Sequence, residues 1–176
     1  MNIDVQQEKK SDEAFVFEII KEAFQDKEYS DQQEHFLVER LRKSDAFIPQ
    51  LSLIARFENQ IIGHILMTKI KIKNQGNTYD SLALAPVSVL PKFQGKGVGT
   101  QLIKEAHKKA KELGFDSIIL LGHKNYYPKF GYKQAHTFDI ELPFDVPKEN
   151  CMAIELTKGA LKNISGVVEY PKEFGF

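Results

Sequence analysis

Hydrophobic side chains recur along this chain with two periods, and the switches between them mark out its elements. Phe15, Val16, Ile19, Ile20, Ala23 and Phe24 fall on one stripe at helical steps. Ser11 is placed to cap that helix, and Asp12 and Glu13 suit the positive end of its dipole. A second helix is predicted after Asp31, with Glu34 at capping-box spacing, running through Phe36, Leu37, Arg40 and Leu41. From residue 51 the period shortens. Residues 51–57 are apolar, residues 58–60 turn, and residues 61–72 end in alternation of Ile70 and Ile72 with Lys69, Lys71 and Lys73, the mark of a strand. Residues 74–77 turn into a further strand over residues 79–89. Pro86 lies inside it and cannot donate to a ladder, so a bulge or a strand end is expected there.

The helical period then returns. Val98, Leu102, Ala106, Ala110 and Leu113 share a face, with Lys104, Glu105, Lys108, Lys109, Lys111 and Glu112 on the other side. Their interspersed signs read as a solvated face. Gly114 stands where a helix-terminating glycine is preferred. Residues 117–121 form a short apolar run of the buried-strand kind, and the intervening helix is long enough for a parallel crossover. Residues 126–130 predict one helical turn before Gly131. Residues 138–142 and 151–156 predict closing strands on either side of Pro143 and Pro147, and residues 2–6 a first strand. No repeat, low-complexity tract or linker interrupts residues 1–176, which read as a single domain.

Composition narrows the function. The 24 basic and 24 acidic side chains cancel, which leaves no electrostatic footprint for nucleic acid and no polybasic membrane anchor. No apolar run approaches the ~20 residues of a membrane span. The polar start of the chain carries no apolar signal core. Cys151 is the only cysteine, so no internal disulfide can form and a reducing compartment is expected. The expectation is a cytoplasmic protein with no nucleic-acid or membrane partner. No histidine pair has zinc-site spacing, so no metal is expected.

The most informative segment lies between the predicted strand at 79–89 and the long helix: Gln94-Gly95-Lys96-Gly97-Val98-Gly99. A strand, a glycine-rich turn and a helix N-terminus in that order make an anion site, because the first helical N–H groups have no intrahelical partner. Spacing sorts the candidate phosphates. A P-loop needs a glycine five positions before Gly95, where Leu90 stands, and a Ser or Thr after the lysine, where Gly97 stands. The dinucleotide fingerprint needs a glycine at the position of Thr100. What fits is Gln/Arg-x-x-Gly-x-Gly/Ala on Gln94, Gly97 and Gly99. The plainer alternative is an ordinary glycine-rich strand–helix turn.

Residues 87–102, VSVLPKFQGKGVGTQL, resemble the acetyl-CoA motif of the GNAT superfamily of N-acyltransferases. The element order resembles the GNAT fold over most of the chain. Two strings resemble a subgroup of predicted N-acetyltransferases: Gly122-His123-Lys124-Asn125-Tyr126-Tyr127-Pro128-Lys129-Phe130-Gly131-Tyr132, and Tyr170-Pro171-Lys172-Glu173-Phe174 near the end. The resemblance implies an α/β (α+β) architecture with a mixed, mostly antiparallel central sheet splayed between its fourth and fifth strands and helices on both faces. It implies acetyl-CoA as cosubstrate and an amine acceptor, and it leaves room for a homodimer. The coenzyme A contacts it implies are Val87, Ser88 and Val89 along the strand, Gln94, Gly95, Lys96, Gly97, Val98, Gly99 and Thr100 in the loop and first helical turn, and Asn125.

The implied chemistry is acyl transfer from a thioester to a neutral amine. Tyr127 is the candidate acid, because in the family's short-helix motif a tyrosine four residues before the glycine lies beside the thioester sulfur, and Tyr127 has that offset from Gly131. A phenol at pKa ~10 facing a thiolate near ~8.5 would transfer its proton uphill by about 2 kcal/mol, so a hydrogen bond to the leaving sulfur is the safer role. Tyr126 is the fallback, and a purely packing role for either tyrosine is the alternative. Candidate bases are His64, His123 and Asp80, while His35, His107 and His136 read as surface or packing residues. A competing reading is a catalytically silent GNAT-fold module that binds acyl-CoA. A third is an unrelated nucleotide-binding protein, disfavoured by the failed phosphate-loop spacings.

Overall fold

The computed structural model describes residues 1–176. The chain forms two compact units, Met1–Met67 with Ala85–Lys109 and Thr68–Leu84 with Ala110–Phe176.

The first unit holds β1 (Ile3–Gln7), α1 (Glu13–Phe24), α2 (Glu34–Arg42), β2 (Phe47–Phe57), the start of β3 (Gln60–Asn74), the end of β4 (Asn77–Val89) and most of α3 (Val98–Glu112). The strands lie in the order β1-β2-β3-β4. β1 runs antiparallel to β2 from Ile3 opposite Phe57 to Gln7 opposite Leu53. α1 buries Val16, Ile19, Ile20 and Ala23. Phe15, expected on that stripe, faces solvent. Ser11 does not cap α1; Asp12 stands at the N-cap position, and its side chain makes no cap bond to the helix. Asp12 accepts the Lys9 N–H at 2.9 Å with one oxygen and Arg56 at 2.6 Å with the other. With both oxygens bound, its carboxylate can be buried without a large desolvation penalty. Before α2, Asp31 accepts the Gln33 N–H at 2.9 Å and Ser30 the Gln32 N–H at 2.8 Å, in place of the capping box expected with Glu34. The helix buries His35, Val38 and Leu41 and turns Phe36 outward.

β3 and β4 form a hairpin whose two-residue turn puts Gln75 and Gly76 at φ 47° and 85°. Both central residues at positive φ match the right-handed twist of paired strands. β4 runs on through Pro86 to Val89. The register set by the turn would place Leu90 opposite Ile61, yet the Leu90 N–H reaches the Ile62 carbonyl at 2.9 Å. β4 is therefore one residue longer than its partner between the two points. The extra residue is a bulge between the turn and Leu90, in the stretch that holds Pro86, and the strand does not end at the proline.

The second unit holds the rest of β3 and β4, with β5 (Ser117–Leu121), β6 (Lys133–Gln134), β7 (Ile140–Glu141), β8 (Cys151–Glu155) and β9 (Gly166–Glu169). β5 lies parallel to β4 through only two pairs, Leu82 with Ile118 and Ala83 with Ile119. Its other edge is antiparallel to β8 from Ser117 opposite Glu155 to Leu121 opposite Cys151. β6 adds to β8, and β9 pairs both β3 and β7. Ile70, Ile72, Ala83, Ile119, Ala153 and Val168 form the centre of this unit's core. The helix before β5 ends at Gly114, φ 88°, with the Phe115 N–H on the Ala110 carbonyl at 3.0 Å. Leu113, assigned to its apolar face, is exposed.

The tail departs from expectation. Residues 135–138 form a 3-10 turn and Asp139 takes φ 56°, so only Ile140–Glu141 pairs as a strand where residues 138–142 were expected to. β6 and β9 were not foreseen. β9 meets β3 at Gly166, where a Cβ would stand 2.2 Å from the Lys73 carbonyl oxygen, so only glycine fits.

Candidate active site

β4 leaves the first unit's sheet at Val89 and is tied down at both sides of its exit. The Leu90 N–H binds Ile62, and the Gln94 side-chain amide reaches back to the Val89 carbonyl at 2.9 Å. A 3-10 turn, Pro91–Phe93, lies between them. The loop then places Gly95 at φ 74° and Gly97 at φ 84°. Side chains rarely adopt this conformation, and open space surrounds both Cα positions. Val98 opens α3, and the first backbone bond into the helix runs from the Gln101 N–H to the Gly97 carbonyl at 3.1 Å. The amides of Val98, Gly99 and Thr100 therefore precede the helical ladder. Their partial charges and the helix dipole add at one point beside the exposed loop residues 94–97, which is the donor set a pyrophosphate needs. Lys92 and Lys96 hold their ammonium groups 5.1 and 5.7 Å from the Phe93 ring centre, so their charge lies beside the loop over an aromatic face.

Along β4, Ala85, Val87 and Val89 are half-buried, alternating with buried Pro86, Ser88 and Leu90. One face of the strand end is thus open and the other belongs to the core. Gly63 on β3 was not singled out from the sequence. A Cβ there would meet the Ser88 carbonyl oxygen at 3.0 Å and Val98 and Leu102 at 3.1 Å. Its absence lets α3 press onto the strands and fixes where the helix N-terminus falls. A lone glycine inside an apolar strand is the signal that could have found it.

His64, a candidate base, lies fully buried on β3. Its Nε2 is 2.9 Å from the Ser52 hydroxyl, which donates to Glu8 at 2.6 Å. Arg42 grips Glu8 through Nη2 at 2.5 Å and Nε at 3.3 Å. Burial first, then the Arg42 charge, pushes the His64 pKa down to about 3. Glu8, Arg42 and Ser52 were not recognised in the sequence, because residues so far apart carry no spacing signal. His107 on α3 is likewise pushed down, to about 4, by burial.

In the second unit, the segment from Gly122 to Gly131 carries the remaining candidates. The His123 carbonyl accepts the Tyr126 N–H at 3.1 Å, and a 3-10 turn, Tyr127–Phe130, follows and ends on Gly131 at φ 101°. Tyr127 is half-buried. Its ring packs edge-on against Tyr126 at 5.1 Å and Tyr132 at 5.7 Å. A Cβ on Gly122 would stand 2.4 Å from its Cε2, so this glycine, also missed, makes room for the tyrosine ring. Burial and the neighbouring Tyr127 raise the Tyr132 pKa well above the ordinary phenol value. His123 and Asn125 are exposed. Asp80 is exposed on β4, paired with Lys71.

Comparison with known proteins follows the same lines. Residues 4–135 match the family described as acetyltransferase (GNAT) domain. The chain is 35% identical over 115 residues to YjhQ of Escherichia coli K12, an uncharacterized N-acetyltransferase, across 65% of this chain and 64% of that one. It is 30% identical over 139 residues to YhbS of the same organism, also an uncharacterized N-acetyltransferase, across 78% and 81%. The fold superposes on a GNAT family acetyltransferase from Brucella melitensis in complex with acetyl-CoA at a TM-score of 0.80, with 29% identity and 98% of both chains covered. It superposes on E. coli YhbS in complex with CoA at a TM-score of 0.89, over 100% of this chain and 93% of that one, at 24% identity.

Proposed function

The chain belongs to the GNAT acetyltransferase family, and from that premise we propose that it is an acetyl-CoA-dependent N-acetyltransferase acting on an amine of a small molecule, peptide or protein by direct attack. The observation that carries this reading is the loop. Gly95 and Gly97 at positive φ present the amides of Val98, Gly99 and Thr100 ahead of the first helical bond. The donor's pyrophosphate is assigned to these amides, with Gln94 and Lys96 at the loop's flanks. Its pantetheine arm is assigned to the backbone of the strand end at Val87, Ser88 and Val89, with the Val89 N–H as donor to the thioester oxygen. Asn125 stands as a further coenzyme A contact on the resemblance of its segment.

In the reaction, the amine nitrogen attacks the thioester carbonyl carbon, the carbon–sulfur bond breaks with its electrons on sulfur, and the amine loses a proton to a base. Tyr127 donates its hydroxyl to the leaving sulfur. His64 is not retained as the base, since full burial and a pKa near 3 leave it neither reachable nor basic at neutral pH. His123 is exposed and takes that role for lysine-type amines, which are almost wholly charged at pH 7, while an α-amine with pKa ~7.7–8.0 needs little help. This direct transfer uses no metal. A cytoplasmic location fits the same reading, with Cys151 as a free thiol; no helix is long and apolar enough to cross a membrane.

The test is release of free coenzyme A from acetyl-CoA in the presence of a panel of amines and peptides. Amine-dependent release supports the reading. Acetyl-CoA binding without release on any member of a broad panel would favour a silent binding module.

A further inference from the structure

A row of polar side chains crosses the buried interior of the first unit. Glu8 follows β1, Ser52 lies on β2 and His64 on β3, joined by the hydrogen bonds already described. Proton counting fixes the histidine. Ser52 has one proton and gives it to the Glu8 carboxylate, so its oxygen must accept from His64 Nε2–H. His64 is then the Nε2–H tautomer, and its Nδ1 is a bare lone pair. That Nδ1 is buried and makes no hydrogen bond within the protein. The same holds for one more group of this unit's strands, the hydroxyl of Ser88, only 1% exposed. The bond from the Leu90 N–H to the Ile62 carbonyl sets the local register of β3 and β4. Two residues along each strand it places Ser88 across from His64, on the same face, since side chains alternate with period two. One group is an acceptor without a proton and the other carries a proton to donate.

Buried polar groups are almost always satisfied, and a water with two or more polar partners is the usual means when side chains do not touch. We propose that Ser88 Oγ and His64 Nδ1 together hold one internal water, which completes a polar row from Glu8 to Ser88 and fixes the end of β4. His64 is thus a positioning residue. Arg42 grips the Glu8 carboxylate at the far end, and the hydrogen bonds give the row a set direction: Ser52 donates to Glu8, His64 to Ser52, and the water to Nδ1. Ser88 lies between Val87 and Val89, the stretch given above to the donor's arm. The functional consequence rests on that assignment, whereas the hydration site does not.

Two measurements on the wild-type protein and one variant decide it. A high-resolution crystal structure should show one ordered water within hydrogen-bond distance of both atoms; a direct Ser88–His64 bond, or no water, would overturn the site. Nitrogen-15 spectra of the histidine rings should show His64 as the Nε2–H tautomer, unchanged from pH 5 to pH 8, with an Nδ1 resonance that moves in Ser88→Ala. An Nδ1–H tautomer, titration in that range, or an Nδ1 resonance indifferent to Ser88→Ala would each overturn the row. None of these readouts depends on acetyl transfer, so their failure is separate from failure of the proposed function.

Discussion

The side-chain amide of Gln94 closes on the carbonyl of Val89 at 2.9 Å, so the loop before α3 is fastened to the strand it has just left. The strand end and the helix N-terminus are therefore held as one piece. A preformed cradle of this kind spares the ordering cost of gathering the same amides on binding.

Removing the Tyr127 hydroxyl tests the acid directly. Tyr127→Phe should lower kcat by roughly 10²–10⁴-fold, the usual scale of positioned acid–base help, and leave acetyl-CoA affinity nearly unchanged. In Tyr126→Phe the ring still packs against Tyr127 and Phe130 and beneath the Lys129 ammonium 4.1 Å from its centre, so activity should hold. Steady-state kinetics of both variants, once an acceptor is in hand, separate the two. Wild-type kcat in Tyr127→Phe with chemistry rate-limiting would return the residue to a packing role.

Gly122→Ala should act on the same tyrosine from behind. The added methyl would stand 2.4 Å from Cε2 and 2.9 Å from Cδ2, so the ring must move. Overpacking of this kind costs about 1–3 kcal/mol. Thermal melting should show that loss, and kcat should fall while acetyl-CoA still binds. Unchanged melting and kcat would mean the ring has room that the structure does not show.

Much of this was legible in the sequence because it is local. The helical period of Val98, Leu102, Ala106 and Ala110, the loop glycines and the apolar run at 117–121 all place their elements within a residue or two. What was missed depends on distant partners. Ser11 was read as a cap because the side chain of Arg56, which claims Asp12, lies far along the chain. β9 has only four residues and is stabilised by its pairing with β3, so periodicity cannot register it. His64 looked available because alternation along a strand says which face a residue shares, not whether Ser52 and Glu8 enclose it. Gly63 and Gly122 look like any other glycine until the atom facing each is known.

Buried neutral histidines make stability depend on pH. His64 falls from an unfolded value of 6.5 to about 3 and His107 to about 4, so below pH 6.5 the unfolded chain binds more protons than the folded one. Stability should therefore be complete above about pH 7 and decline as pH falls from 6.5 toward 4, by up to about 1.4 kcal/mol per unit for each histidine. Urea unfolding at pH 7.5, 6 and 5 measures this, with His64→Gln as the comparison, which should flatten the slope. A wild-type slope no steeper than the variant's would contradict the burial argument.

Cys151 is 8% exposed, its thiol lies 3.6 Å from the Pro147 carbonyl, and burial raises its pKa. Both access and thiolate fraction are then low. A thiol reagent at pH 8 should label the native protein slowly and the denatured protein at once. Rapid native labelling would place this thiol at the surface and reopen thiol chemistry as a function.

The central claim is that the amides at the start of α3 hold the pyrophosphate of acetyl-CoA, and calorimetric titration of wild type against Gly97→Val tests it most directly. Nothing lies within 4 Å of the added Cβ, so the fold should survive with the strain of a left-handed residue, about 1–2 kcal/mol. The valine side chain should nonetheless deny the phosphates their close approach to the loop. Wild type should bind acetyl-CoA, in competition with coenzyme A and not with ATP or NAD, and the folded variant should lose that binding, whereas Lys96→Ala should change it little. Equal affinity for acetyl-CoA in wild type and in a folded Gly97→Val protein would contradict the account.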